Sequence, residues 1–165
     1  MASAVRAADR DRLSRLLAAG LLTSLTDGTF ATVQTVFVNK STFARLWQGV
    51  ASVLLGPDAM TGGTRTIVIG LLMHVLVAFT WSAIFIFGLM RWPLVLRALE
   101  SPWGVVKVAA VYGPFIWLVM STIVIPVMVH RPPSFTSRWL VQLAGHFPFV
   151  GLPMVAMGAR GVRGR

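Results

Sequence analysis

Residues 66–90 read TIVIGLLMHVLVAFTWSAIFIFGLM, an unbroken apolar stretch without Asp, Glu, Lys or Arg. An α-helix rises about 1.5 Å per residue, so roughly 20 apolar residues cross about 30 Å of hydrocarbon. This stretch is long enough with a turn to spare. Working outward from it, residues 16–38 on one side and 105–129 and 140–158 on the other have the same character, and the four together fill more than half of the 165 residues. Lipid offers an unpaired backbone N–H or C=O nothing to bond, so stretches of this kind must be helices. The expectation is an all-α fold: one integral membrane bundle of four transmembrane helices over 16–158. A polar tail precedes it at 1–15 and a basic tail follows at 159–165.

Composition agrees with that class. Hydrophobic residues make up 56% of the chain, and a mean hydropathy of +0.76 exceeds what a soluble domain of this size carries. A core of 165 residues has no room to hide four such runs. The formal charge is +10, from fifteen Lys and Arg against five Asp and Glu. Those cations fall almost entirely between the spans and outside them, never as a stripe interleaved with aromatics, so no nucleic-acid partner is expected. Basic residues beside spans read as orientation and contact with lipid headgroups. Ten lie in the N-terminal tail (Arg6, Arg10, Arg12, Arg15), around the second loop (Arg91, Arg97, Lys107) and in the C-terminal tail (Arg160, Arg163, Arg165). Five lie in the other loops: Lys40, Arg45, Arg65, Arg131 and Arg138. That bias places both termini in the cytoplasm. The first span leads into no small-residue cleavage site and is read as retained rather than as a signal peptide.

Between spans one and two, Phe43, Leu46, Trp47, Val50 and Leu54 recur at helical spacing, with Arg45 on another face. A helix over 42–56 is too short to span. It is expected to be interfacial or re-entrant, with Phe43, Arg45 and Trp47 at its start. Gly56-Pro57-Asp58 ends it. The segment STFARLWQGVA after span one has a faint echo in SFTSRWLVQLAG after span three. Spans three and four carry Gly113-Pro114, Pro126, Pro148 and Pro153, and proline removes a backbone donor and bends a helix.

Inside these spans there is one carboxylate, Asp27, and two imidazoles well within them, His74 and His146. A carboxylate at depth costs roughly 2.5–3.5 kcal/mol on insertion scales, so it normally has a partner or a task. Asp27 shares a small, polar helical face with Gly20, Ser24 and Ala31, which turns it towards protein. Counted along antiparallel spans, the three residues fall at similar depth. They suit a proton relay, a sparse metal site, or a polar contact that fixes helix register. There is no cysteine, which excludes disulfides and thiolate chemistry. No nucleotide cradle or Ser–His–Asp set is legible, so neither a catalytic residue nor a cofactor nor a resident metal is called for.

The stretches WQGVASVLLGPDAMTGG, GLLMHVLVAFTWSAIFI, VYGPFIWLVMSTIVIPV and GHFPFVGLPMVA resemble a family of small, uncharacterised four-span bacterial inner-membrane proteins. More distantly, the second half is similar to the YagU-like inner-membrane proteins. The resemblance implies a bacterial inner-membrane location and four spans, and supplies no substrate. The first expectation for function is a structural or accessory subunit, acting through helix contacts and membrane lipids, alone, as a homo-oligomer or in a larger complex. The alternative is a small, oligomeric transporter or proton-coupled carrier that uses Asp27 with His74 or His146.

Overall fold

A computed structural model describes residues 2–160, with side chains from Asp9 onward; Arg6, Arg163 and Arg165, counted above for orientation, lie outside the described side chains. Every regular element among the described residues is helical. Four helices are long and apolar enough to cross a membrane: Asp9–Val38, Gly63–Arg91, Gly104–Val129 and Ser137–Gly158.

The first span is α1 (Ala2–Val33), ending in a wider π turn at Gln34–Val38. Residues read as a tail are therefore the first turns of the helix, where Arg15 pairs with Asp11 one turn back. After α2 (Phe43–Leu55) and a tight turn at Pro57–Thr61, the second span is α3 (Gly63–Ala83), with a π turn at Ile84–Gly88. A short helix not foreseen from the sequence follows, α4 (Pro93–Glu100), starting on a proline whose missing N–H costs nothing in a first turn. The third span is α5 (Gly104–Val119), a π turn at Met120–Val124 and α6 (Ile125–Val129). The fourth is α7 (Ser137–His146), a π turn at Phe147–Gly151 and α8 (Leu152–Gly158). Pro126 and Pro148 sit just beyond or within two of these π turns. A widened turn is how a helix absorbs a ring that clashes with the carbonyl one turn back.

Span one packs on both span two and span four, and span four packs on span three. Spans three and four meet backbone to backbone: a Cβ on Gly113 would strike the His146 carbonyl, and one on Gly151 the Ala109 carbonyl. Spans two and three meet through large side chains instead, with Tyr112 donating to the Trp81 carbonyl at 2.9 Å. At the end of the bundle that carries α4, Phe85, Leu99, Met154 and Val155 are fully buried and form an apolar core with Tyr112 and Ile116.

The helix α2 folds back along α3 through the 57–61 turn. Its Trp47 carbonyl lies so close to Gly70 that no side chain fits there, and the tip of the Trp47 ring faces Gly28 of α1. Trp47 thus packs inside the bundle against spans one and two, seven residues beyond the start of the second. The echo noted in the sequence has a structural meaning. Thr42 caps α2 by accepting from the Arg45 amide at 3.2 Å, and Thr136 caps α7 by accepting from the Trp139 amide at 3.3 Å.

Candidate functional site

The carboxylate and the two imidazoles within the spans lie to one side of the apolar core, towards α2. Asp27 projects from α1, His74 from α3 and His146 from the last turn of α7. His74 Nδ1 lies 3.8 Å from the Asp27 carboxylate, with side-chain exposures of 16% and 19%. The distance is too long for a hydrogen bond. Both His146 and His74 are within electrostatic range of the Asp27 carboxyl. The structure therefore brings Asp27 and His74 together and sets His146 nearby.

Backbone carbonyls fix the proton positions on both rings, because a carbonyl can only accept. His74 Nε2 faces the Ser24 carbonyl at 3.0 Å, so Nε2 carries a proton and Nδ1 is the atom turned to Asp27. His146 Nδ1 faces the Gln142 carbonyl at 2.8 Å, so Nδ1 is protonated there and Nε2 is left over. With His74 neutral and Asp27 ionised, two lone-pair atoms confront each other. A single proton placed between them resolves the conflict, as imidazolium and carboxylate or as imidazole and carboxylic acid. Either arrangement makes the pair neutral overall, the form that low-dielectric surroundings favour.

Aromatic rings wall this site. Trp47 lies edge-on to His74 with centroids 5.2 Å apart, and Trp117 leans on His146 at 4.9 Å. The indole N–H groups of Trp47 and Trp117 are both buried without a partner among the described residues. Two separate side-chain hydrogen bonds lie near His146 on the side away from the apolar core. Gln142 Nε2 donates to Gln34 Oε1 at 2.7 Å, and Trp139 Nε1 donates to Ser121 Oγ at 3.0 Å.

Of the residues proposed at the start of α2, Trp47 joins the site, Phe43 is exposed and meets the Trp47 ring edge-on at 5.9 Å, and Arg45 is exposed away from it. Sequence reasoning did not place Gln34 in the site. Its position two turns after Asp27, with Gln142 one turn before His146, was the available signal. No group of three or more His, Cys, Asp or Glu among the described residues is placed to hold a metal ion.

A groove of about 650 Å³ opens on the flank of the site between α1, α2 and α3, with His74 and Trp47 in its wall. No family model matches the chain, and no curated protein or solved structure matches it either.

Proposed function

We propose that this multi-pass membrane protein is a small proton-coupled carrier that works as an oligomer, with Asp27 and His74 as its proton site. One observation carries the reading: the 3.8 Å contact between His74 Nδ1 and Asp27, in which donor counting leaves a place for one proton. Intramembrane ionisable pairs mark ion and proton pathways far more often than surface pairs do. The Gln142–Gln34 and Trp139–Ser121 hydrogen bonds make one side of the site polar, and the apolar core closes the other. That asymmetry is what one state of an alternating-access carrier requires. Four spans are few for a full pathway, hence the oligomer. The cation bias of the loops and the resemblance to small four-span proteins support a bacterial inner-membrane location with both termini cytoplasmic.

The test is proton entry into proteoliposomes under an imposed membrane potential, reported by an enclosed pH dye. The native chain should admit protons and Asp27→Asn should not. Equal entry with both, or none with either, removes the carrier reading.

A second reading, an accessory subunit, is favoured by the flank groove, which offers a partner helix or lipid a seat. Its sign is a partner that co-purifies stoichiometrically from gently solubilised membranes while proton entry is absent.

A further inference from the structure

The groove between α1, α2 and α3 has a chemistry of its own. Its volume of about 650 Å³ falls within the roughly 300–1,000 Å³ typical of ligand pockets. Leu25, Phe43, Leu71 and Val75 give it an apolar surface, and Ser24, Thr29, Thr32 and His74 give it a polar side.

The hydroxyls are the informative part. Ser24, Thr80, Ser82 and Thr122 each donate to a carbonyl one turn back in their own helix, at 2.6–2.8 Å. That is the usual resting place of a hydroxyl in a membrane helix. Thr29 and Thr32 make no hydrogen bond among the described residues, although both line the groove. Two hydroxyls without a partner, one exposed and one half-buried, therefore line one apolar groove.

Charge narrows the occupant. No Lys or Arg lines the groove, so nothing there would compensate a phosphate or a carboxylate. Thr29 and Thr32 lie nine and six residues before Val38, the end of the first span. At about 1.5 Å per residue the polar rungs lie about 9–14 Å along the helix from that end. Both His74 nitrogens are already engaged, by Ser24 and Asp27. Gly28 leaves the ring bare to the groove, since even a Cβ there would lie 3.4 Å from Nε2. An occupant of the groove thus rests against the partner of Asp27.

We infer that this groove takes a neutral, single-chain amphiphile from the membrane, its hydroxyl or carbonyl at Thr29 and Thr32 and its chain along Leu25, Phe43 and Val75. The inference rests on the carrier reading and names the class of its cargo. Contact with His74 is the link by which cargo and proton would sense each other.

The test uses the full chain in nanodiscs with three diazirine probes of equal chain length: a long-chain alcohol, the corresponding carboxylic acid at pH 8, and the corresponding hydrocarbon. Crosslinks are located by mass spectrometry. The alcohol should label Leu25, Phe43, Leu71 and Val75 above the acid and the hydrocarbon. The double variant Thr29→Val/Thr32→Val should lower alcohol labelling about fivefold or more, as loss of one or two hydrogen bonds does. Hydrocarbon labelling of that variant should stay unchanged, which shows that the groove itself is intact. Labelling spread evenly over the lipid-facing helices, or equal labelling by alcohol and hydrocarbon, overturns the inference. Proton entry is measured on the same preparation. Groove labelling without proton entry supports the amphiphile site and removes the proton reading. Proton entry without groove labelling does the reverse.

Discussion

At the residue scale, the bundle shows how one missing backbone donor is covered by a side chain from another helix. Pro153 has no N–H, so the Phe149 carbonyl one turn earlier loses its α-helical partner. Thr26 Oγ1 of span one lies 2.6 Å from that carbonyl and 2.9 Å from the Leu22 carbonyl of its own helix, so its one proton is shared between the two helices, beside the stack of Phe30 on Phe149 at 4.5 Å. Thr26→Val keeps the shape and removes the donor. Interhelical hydrogen bonds in membranes average about 0.6 kcal/mol and reach about 1.7. Because the hydroxyl also has the Leu22 carbonyl as an acceptor and Phe149 lies in a widened turn, the loss should be near the average, about 0.6 kcal/mol. Unfolding in mixed micelles of increasing SDS fraction measures it, and a variant as stable as the native chain contradicts the role given to Thr26. Asp27, His74 and His146 were all legible as residues out of place in an apolar stretch. The Thr26 contact was not, because a hydroxyl in a membrane helix ordinarily bonds within its own helix, and nothing in the sequence says which one also reaches a neighbouring helix.

At the element scale, α2 is held by a close backbone approach. The Trp47 carbonyl presses on Gly70, and the small residue Ala51 is fully buried on the same helix. Gly70→Val puts a branched side chain where a carbonyl already stands, so α2 must lift from α3. Trp47 would then leave the wall of His74 and its fluorescence should shift to the red. Limited proteolysis should cut within 42–56 faster than in the native chain by about tenfold, corresponding to about 1.4 kcal/mol of local opening. Unchanged fluorescence and cleavage would show that α2 does not depend on this contact. The periodicity of Phe43, Trp47 and Val50 made this helix readable, and its length barred it from spanning. Whether it lay on the surface or entered the bundle was not readable, since an amphipathic face fits lipid headgroups and a neighbouring helix equally well. The helix α4 escaped notice for a related reason. Eight residues give only two turns, and a proline followed by Leu94, Val95 and Leu96 resembles a loop until Leu99 is seen buried against the core.

At the scale of the whole molecule, the polar and apolar sides of the site predict a one-sided pattern of access. The chain contains no cysteine, so any single cysteine introduced is a clean reporter. Asn39 and His130 follow the ends of spans one and three, whereas Glu100 lies in the connection between spans two and three. Two spans and two turns therefore put the first pair on one side of a membrane and Glu100 on the other. With the cation bias setting orientation, Asn39→Cys and His130→Cys should react with a membrane-impermeant maleimide added outside intact cells. Glu100→Cys should react only after the cells are opened. Ser121 receives the Trp139 indole on the polar side, and Ser121→Cys should be reached by a small cationic thiosulfonate from the Asn39 side. Met154 is fully buried in the apolar core, and Met154→Cys should resist the reagent from both sides. Reaction of Met154→Cys from the Glu100 side would mean that the core is not a seal. Asp27 would then stand in a continuous pathway instead of at the bottom of a one-sided approach.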